Sequence, residues 1–245
     1  MRFQLQATDL GLLVTLAMAL LSARLLRLAI RTRRLPELLV GIYFLAAPLA
    51  ISVSIRITRF DPQHAEALRA LVAGLFGVGG IALLLFAWCV FHPRAGWAKA
   101  LAWGGSAAIA ALWAAELRSG GFAANASFWG RFLPYASYLW VFVESLRYWR
   151  LLRRRLRIGL ADPVVVNRFL LFAIWTGCVV AITILGIGSA ILAGGFREEN
   201  SFGSPVVLGI TRLLTLPIGL SIWLTFLAPR RYHTWIERRS APARG

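Results

Sequence analysis

Residues 71–91 read LVAGLFGVGGIALLLFAWCVF and contain no charged residue. A bilayer core about 30 Å thick needs roughly 20 apolar residues per spanning helix, so this run is long enough to cross a membrane. Residues 38–55 form a second run without charge, and residues 169–196 form a third. The sequence therefore predicts an integral membrane protein, and a soluble domain is excluded by the same runs.

Applied to the whole chain, this criterion predicts an all-α bundle of seven transmembrane helices. The approximate spans are residues 8–30, 37–56, 69–91, 97–116, 128–150, 164–194 and 205–228. We interpret the first as a retained helix, because Leu21-Ser22-Ala23 places a leucine where a signal-peptide cleavage site needs a small residue. Residues 1–245 are thus predicted to form a single transmembrane domain with no soluble domain.

Positive charge is distributed unevenly among the pieces of chain that join or flank these spans. The first, third and fifth loops and the C-terminal tail hold 19 of the 27 basic and 4 of the 10 acidic residues, a net charge of +15. The other pieces carry a net charge of +2. Because basic loops stay on the cytoplasmic side, we predict an outside N-terminus, a cytoplasmic C-terminus and a bacterial inner membrane location.

The arginines beside the spans form short clusters at the predicted cytoplasmic face. Such clusters attract anionic lipid headgroups, and they are too short to favour nucleic acid as a partner. We predict that they contact lipid or a protein partner. The candidate contact residues are Arg31, Arg33, Arg34, Arg153, Arg154, Arg155 and Arg157.

Two cytoplasmic junctions share a motif that indicates an internal repeat. The segments Ser22–Leu28 and Ser145–Leu151 both read Ser-x-Arg-x-x-Arg-Leu. Each is followed by a helix that proline opens, at Pro36 and at Pro163. The ends of spans three and seven also share their order of tryptophan, phenylalanine and proline residues.

The repeat predicts two parallel triplets, residues 8–99 and 128–239, joined by the fourth helix in a 3+1+3 layout. This layout is similar to that of sugar facilitators of the SWEET type, although none of their signature loops appears here. The alternative is that arginine, proline and tryptophan simply collect at cytoplasmic interfaces.

The fourth span has closely spaced small residues such as Gly104 and Ala108. These residues favour helix packing within the chain or, alternatively, in a homodimer.

Residues that carry chemistry are scarce in this sequence. Lys99 is the only lysine, and it lies outside span seven, which excludes a retinal Schiff base there. The three histidines fall in predicted loops or rims, and no zinc-binding or catalytic spacing occurs. We therefore expect no enzymatic activity, no cofactor and no metal.

Charged residues in or near the hydrocarbon mark candidate functional sites. Arg212 lies about two turns inside span seven by sequence, and Arg131 lies about one turn inside span five beside Trp129. Glu116 and Arg69 fall on the same predicted outer side. We predict an outer polar vestibule from these residues. The alternative is that the arginines extend to outer headgroups or pair with neighbouring acids.

The repeat, the prolines within spans two, five and seven and the vestibule favour a small-solute or anion facilitator. The alternative is a receptor-like seven-helix sensor or membrane adaptor that acts through a partner at its basic cytoplasmic face. A structural or lipid-organising role is a third possibility. The sequence does not identify the small-molecule ligand.

The predicted topology can be tested with reporter fusions. Green fluorescent protein fused after Gly245 should fluoresce, and alkaline phosphatase fused there should be inactive, because the tail is expected in the cytoplasm. Alkaline phosphatase inserted after Gly121 should be active. An active phosphatase at the tail would contradict the predicted orientation.

Overall fold

The computed structural model describes residues 2–56, 62–118, 128–192, 205–229, 231–232 and 234–236, and no strand occurs among them. Seven long helices lie in this part of the chain. They are α1 (Arg2–Thr32), α2 (Leu35–Arg56), α3 (Pro62–Phe91), α4 (Gly96–Arg118), α5 (Phe128–Arg157), α6 (Pro163–Leu192) and α7 (Pro205–Phe226).

Five of these helices, α2, α3, α4, α6 and α7, are long and apolar enough to cross a membrane. Large apolar side chains such as Leu20, Leu192 and Leu216 are exposed, as expected where lipid replaces water around a protein. The described residues are therefore confirmed as all-helical, and five helices able to span a membrane support a multi-pass protein. The spans predicted at α1 and α5 stay predictions, because neither helix is among these five.

Helix α5 continues to Arg157, seven residues beyond its predicted span, so the arginines assigned to a loop are helical. Arginine has a high helix propensity, and positive charge is favourable in a last helical turn. The helix ends where Gly159 adopts a φ of 70°. The amide of Leu160 donates to the carbonyl of Arg155 and that of Gly159 to the carbonyl of Leu156, which is the Schellman pattern.

The predicted start of α6 is confirmed. Asp162 Oδ1 accepts a 2.8 Å hydrogen bond from the amide of Val164, and Pro163 occupies the first helical position. A side-chain oxygen satisfies a free amide at this end, and proline has no amide that would need a partner. The chain is therefore held in a defined turn between α5 and α6.

The described residues group into two compact units, one up to Ser137 and the other from Tyr138 onward. In the first unit α1 packs on α2, α2 on α3 and α3 on α4, and in the second α6 packs on α7. Phe44 and Leu83 are buried in the first unit, and Val141 and Trp175 are buried in the second.

Close helix approach within the first unit depends on glycine. A Cβ on Gly80 of α3 would lie 2.9 Å from Pro134 Cβ and 3.1 Å from the Pro134 carbonyl oxygen of α5. A Cβ on Gly74 would lie 3.1 Å from the indole nitrogen of Trp113 in α4. Glycine allows both neighbours to approach the α3 backbone directly. Pro134, within the continuous helix α5, is therefore packed against α3 at this point.

The two serines that open the repeated motif have different environments. Ser22 Oγ is buried and donates a 2.8 Å hydrogen bond to the carbonyl of Gly41 in α2. Ser145 is equally buried, but its Oγ has no hydrogen-bond partner among the described residues. The duplication of residues 8–99 and 128–239 stays a prediction, and its two serine positions do not share one contact.

Substituting Gly80 by alanine should destabilise the first unit. The added methyl would meet the backbone of Pro134, and overpacking costs about 1–3 kcal/mol in the free energy of unfolding. Gly209→Ala in α7 is the matched control, because nothing lies within 4 Å of a Cβ at that position. Unfolding of the purified chain in mixed micelles measures both variants. Equal stability of the two would contradict the close contact.

The serine pair gives a second stability test. Ser22→Ala should cost about 1 kcal/mol in the free energy of unfolding, because it removes a buried hydrogen bond. Ser145→Ala should change that free energy by less than about 0.5 kcal/mol or raise it, because the lost hydroxyl has no partner to leave unsatisfied. The same unfolding assay applies. A larger loss at Ser145 than at Ser22 would show that the assigned partners are wrong.

Candidate functional site

The residues predicted to form the outer vestibule are only partly described. Glu116 is 8% exposed near the end of α4, and Arg69 is half-buried near the start of α3. Both side chains have interaction partners. Arg212 is exposed on α7, and the side chains of Trp129 and Arg131 lie outside the described residues. The five-residue vestibule therefore stays a prediction.

A hydrogen bond brings the α3 and α4 ends of this region together. Trp113 Nε1 donates to the carbonyl of Ala70 at 3.1 Å. Arg69 precedes that carbonyl in α3, and Glu116 follows Trp113 by one helical turn in α4. This contact positions a basic and an acidic residue on neighbouring helices at one end of the first unit. A buried carboxylate at the end of α4 needs a hydrogen-bond or ion-pair partner, because an unpaired charge in an apolar environment costs free energy.

An open groove of about 680 Å³ lies beside α4. Its lining residues are Ala108, Ala111, Leu112, Ala115 and Leu133. Every one of them is apolar, so the groove offers an anion neither a positive charge nor a side-chain hydrogen-bond donor. Its chemistry suits an acyl chain or another apolar surface.

A second open depression, of about 600 Å³, lies at the predicted cytoplasmic side of the first unit. Four short pieces of chain form it: the α1–α2 turn, the first turn of α2, the last turn of α3 and the α3–α4 turn. We name it the headgroup pocket. Its lining residues are Arg33, Arg34, Leu35, Pro36, Glu37, Trp88, Cys89 and Pro93.

Positive charge lies at the headgroup pocket, and two of its lining residues, Glu37 and Trp88, each have one polar atom buried below the accessible surface. Arg33 and Arg34 are exposed at its mouth, and the N-terminus of α2 contributes the partial positive charge of a helix start. Glu37 Oε2 and Trp88 Nε1 are both buried and have no hydrogen-bond partner among the described residues. One is an acceptor and the other a donor.

The backbone at the pocket is held in an unfavourable conformation. Arg33 has a φ of 53°, and among the described residues it is the one non-glycine residue with a positive φ. Its amide donates a 2.7 Å hydrogen bond to the carbonyl of Ala29, which ends α1. Helix α5 ends at the left-handed Gly159, where the missing Cβ removes the strain. At Arg33 the chain accepts a left-handed arginine, at a cost of roughly 1–2 kcal/mol.

The second predicted basic cluster lies on the helical extension of α5. The Arg153 guanidinium lies 5.3 Å from the centre of the Trp149 ring, a cation–π contact. Arg154, Arg155 and Arg157 are exposed around the last turn. Arg147 lies 3.9 Å from Glu144 one turn earlier, so its charge is partly balanced. The three terminal arginines remain available to anionic groups outside the chain.

The sequence predicted Arg33 and Arg34 as candidate lipid or partner contacts, but it did not indicate that Glu37 and Trp88 lie beside them. The missing signal was proximity, since Glu37 and Trp88 are separated by 51 positions in the chain. Glu37 and Trp88 both lie at predicted cytoplasmic ends of spans, and this shared location is the one signal in the sequence that they are close together.

Comparison of the chain with protein-family models, with curated proteins and with solved structures finds no match. The chemistry of the described residues therefore carries the functional argument.

Proposed function

We propose that this chain is a multi-pass protein of the bacterial inner membrane that acts as a receptor-like sensor or adaptor through its basic cytoplasmic face. The observation that carries the proposal is the exposure of arginines at two helix ends: Arg33 and Arg34 lie beside the start of α2, and Arg154, Arg155 and Arg157 lie at the end of α5. Arginine presents planar, bidentate donors that match phosphate oxygens. The ligands we assign to this face are phosphate-bearing lipid headgroups.

The arginines of α5 supply a second binding surface on the same predicted side. They lie on a helix with a defined end, so their spacing is fixed before a partner binds. Each basic residue near an anionic membrane surface contributes about 1 kcal/mol of attraction. A protein partner with an acidic surface would bind the same arginines, close to the membrane surface.

A small-solute or anion facilitator is the second candidate function. The buried carboxylate of Glu116 favours it, because ionisable groups within membrane spans often belong to solute paths. A hydrogen bond joins the helix of Glu116 to that of Arg69. Two observations weigh against it. The groove beside α4 has an apolar lining, and Pro134 packs against Gly80.

A homodimer through α4 is compatible with either function. Nothing lies within 4 Å of a Cβ built on Gly104, and Ala107, Ala108 and Ala111 are exposed on the same helix. Small residues at a helix surface permit a second helix to approach closely. A second copy of the chain, the alternative to packing within the chain at this span, is therefore the partner that we propose for α4.

Lipid competition tests the proposed function. In vesicles that contain phosphatidylglycerol, Arg154→Gln should weaken retention of a spin-labelled phosphatidylglycerol about fivefold, the equivalent of about 1 kcal/mol. Arg118→Gln is the matched control, because Arg118 is also exposed and terminal on its helix but lies on the predicted outer side. The control should retain this lipid within twofold of the wild-type chain.

Uptake by proteoliposomes separates the two functions. The adaptor proposal expects no small anion or sugar to enter faster than into empty vesicles. Uptake above that background, together with unchanged lipid retention in Arg154→Gln, would overturn the adaptor proposal in favour of the facilitator.

A further inference from the structure

We propose that the exposed face of α7 binds a membrane-spanning helix of another protein, and that a carboxylate of that helix pairs with Arg212. This inference goes beyond the proposed function, because it concerns a surface within the membrane and not the basic cytoplasmic face. It names the partner by its chemistry. The partner segment is apolar and carries one aspartate or glutamate in the half that lies on the predicted outer side.

Arg212 lies within the apolar part of α7. The part of this helix that is apolar enough to span a membrane runs from Val206 to Phe226. Arg212 therefore lies six residues inside it, which is about 9 Å along the helix axis. Its side chain is exposed. In a bilayer this exposure places a guanidinium beside hydrocarbon, where a charged residue is costly unless it is paired.

The helices around Arg212 offer it no carboxylate. In the second unit α7 packs against α6, and neither helix contains an acidic residue. Among the described carboxylates, Glu116 lies on the predicted outer side, but it is buried and already has an interaction partner. No hydrogen bond or ion pair of Arg212 occurs within the described part of the chain.

Thr215 shows how a neighbouring polar side chain avoids this cost. It is exposed one turn further along α7, and its hydroxyl donates a 2.8 Å hydrogen bond to the carbonyl of Thr211. A threonine hydroxyl has one donor, which the helix backbone can accept. Arginine has five N–H donors in a rigid planar fork, and carbonyls that already bond within the helix cannot satisfy them. Arg212 therefore needs acceptors from outside α7.

The surface around Arg212 permits close approach by another helix. Gly209, Arg212, Leu216, Gly219 and Trp223 follow one another at alternating intervals of three and four positions, which is the spacing of residues along the seam between two packed helices. Nothing lies within 4 Å of a Cβ built on Gly209 or Gly219. The other three side chains are exposed. Small residues let helix backbones approach closely, and such packing drives helix association in membranes.

A carboxylate on the approaching helix satisfies both the charge and the donors of Arg212. Arginine and carboxylate groups form two parallel N–H···O bonds. A second copy of α7 cannot supply this group. A symmetric pair of parallel α7 helices would place one Arg212 against the other at the same depth, and like charges repel more strongly where the dielectric constant is low. The partner that we assign is therefore a different protein.

Lipid is the other source of an anion for Arg212. Arginine side chains extend from apolar surfaces to nearby headgroups, and helical side chains point toward the N-terminus, which is the predicted outer end of α7. A headgroup phosphate would bind Arg212 without using Gly209 or Gly219. The two sources therefore differ in whether binding depends on a helix carboxylate and on these glycines.

Association with a synthetic spanning helix tests the inference. The probe is a labelled leucine-alanine peptide of roughly 20 residues, with a single aspartate near one end, and the reference peptide has leucine at that position. Energy transfer to the labelled full-length chain in phosphatidylcholine vesicles measures association. The wild-type chain should bind the aspartate peptide about tenfold more tightly than the leucine peptide. Equal binding of the two peptides would overturn the proposal in favour of lipid phosphate.

Variants of Arg212 separate the ion pair from general helix affinity. Arg212→Leu should lose the preference for the aspartate peptide. Arg212→Lys should keep part of it, because an ammonium group retains the charge but not the bidentate geometry. Arg212→Asp should reverse the preference, toward a peptide with arginine in place of aspartate. All three variants should unfold in mixed micelles as the wild-type chain does. A preference for aspartate that survives in Arg212→Leu would overturn the role of Arg212.

Gly219→Leu tests the helix contact without changing a charge. A larger side chain on this face would hold the probe helix away, so the aspartate peptide should bind about fivefold or more weakly. Gly188→Leu in α6 is the matched control, because Gly188 also lies in a spanning helix with nothing within 4 Å of a Cβ. The control should bind within twofold of the wild-type chain. Unchanged binding by Gly219→Leu would overturn the packed face.

Photo-crosslinking in native membranes identifies the natural partner. A benzophenone side chain at position 216 should capture a spanning segment that contains an acidic residue, and capture should be lost in Arg212→Leu and retained in Arg212→Lys. Crosslinks confined to lipid or to a second copy of the chain would overturn the inference. The proposed function would be judged separately by phosphatidylglycerol retention in Arg154→Gln, which does not involve α7.

Discussion

Backbone hydrogen bonding is the constraint from which the rest of this structure follows. Inside hydrocarbon no water satisfies an amide or a carbonyl, so each crossing segment must pair its own backbone groups in a helix. The described chain obeys this rule with helices of 22–31 residues. It leaves the helical conformation at turns whose free groups are bonded locally, as at Asp162 and Gly159. Charged residues then accumulate at the turns.

Packing between the helices depends on small groups and on few polar bonds. Apolar association is weak inside a membrane, because lipid tails are as apolar as leucine side chains. Gly80 and Gly74 therefore allow Pro134 and Trp113 to pack directly against the α3 backbone. The Ser22 hydroxyl links α1 to α2 by donating a hydrogen bond to the Gly41 carbonyl. These contacts act locally. They stabilise the helix pairs whose ends form the headgroup pocket, so the site depends on packing elsewhere in the same unit.

Much of this fold was accessible from the sequence, because hydrophobic length and helix-end signals are local properties. The start of α6 at Pro163 was predicted and is confirmed. The helical state of the α5 arginines was not predicted, because basic residues were assigned to loops on charge alone. The pocket could not be derived either, since it joins residues near position 35 to residues near position 90. Nothing in either segment alone shows that Glu37 and Trp88 are unpaired.

The length of α5 affects how strongly its arginines interact with a charged membrane surface. Arg157 lies seven residues beyond the predicted span, which is about 10 Å along a helix axis. That distance is close to the Debye length, about 8 Å at physiological ionic strength. The attraction between an arginine and the membrane surface is therefore screened more strongly at each successive turn of this extension. On the predicted cytoplasmic side, ionic strength would set how many of them interact with the membrane surface and how many remain available to a soluble partner.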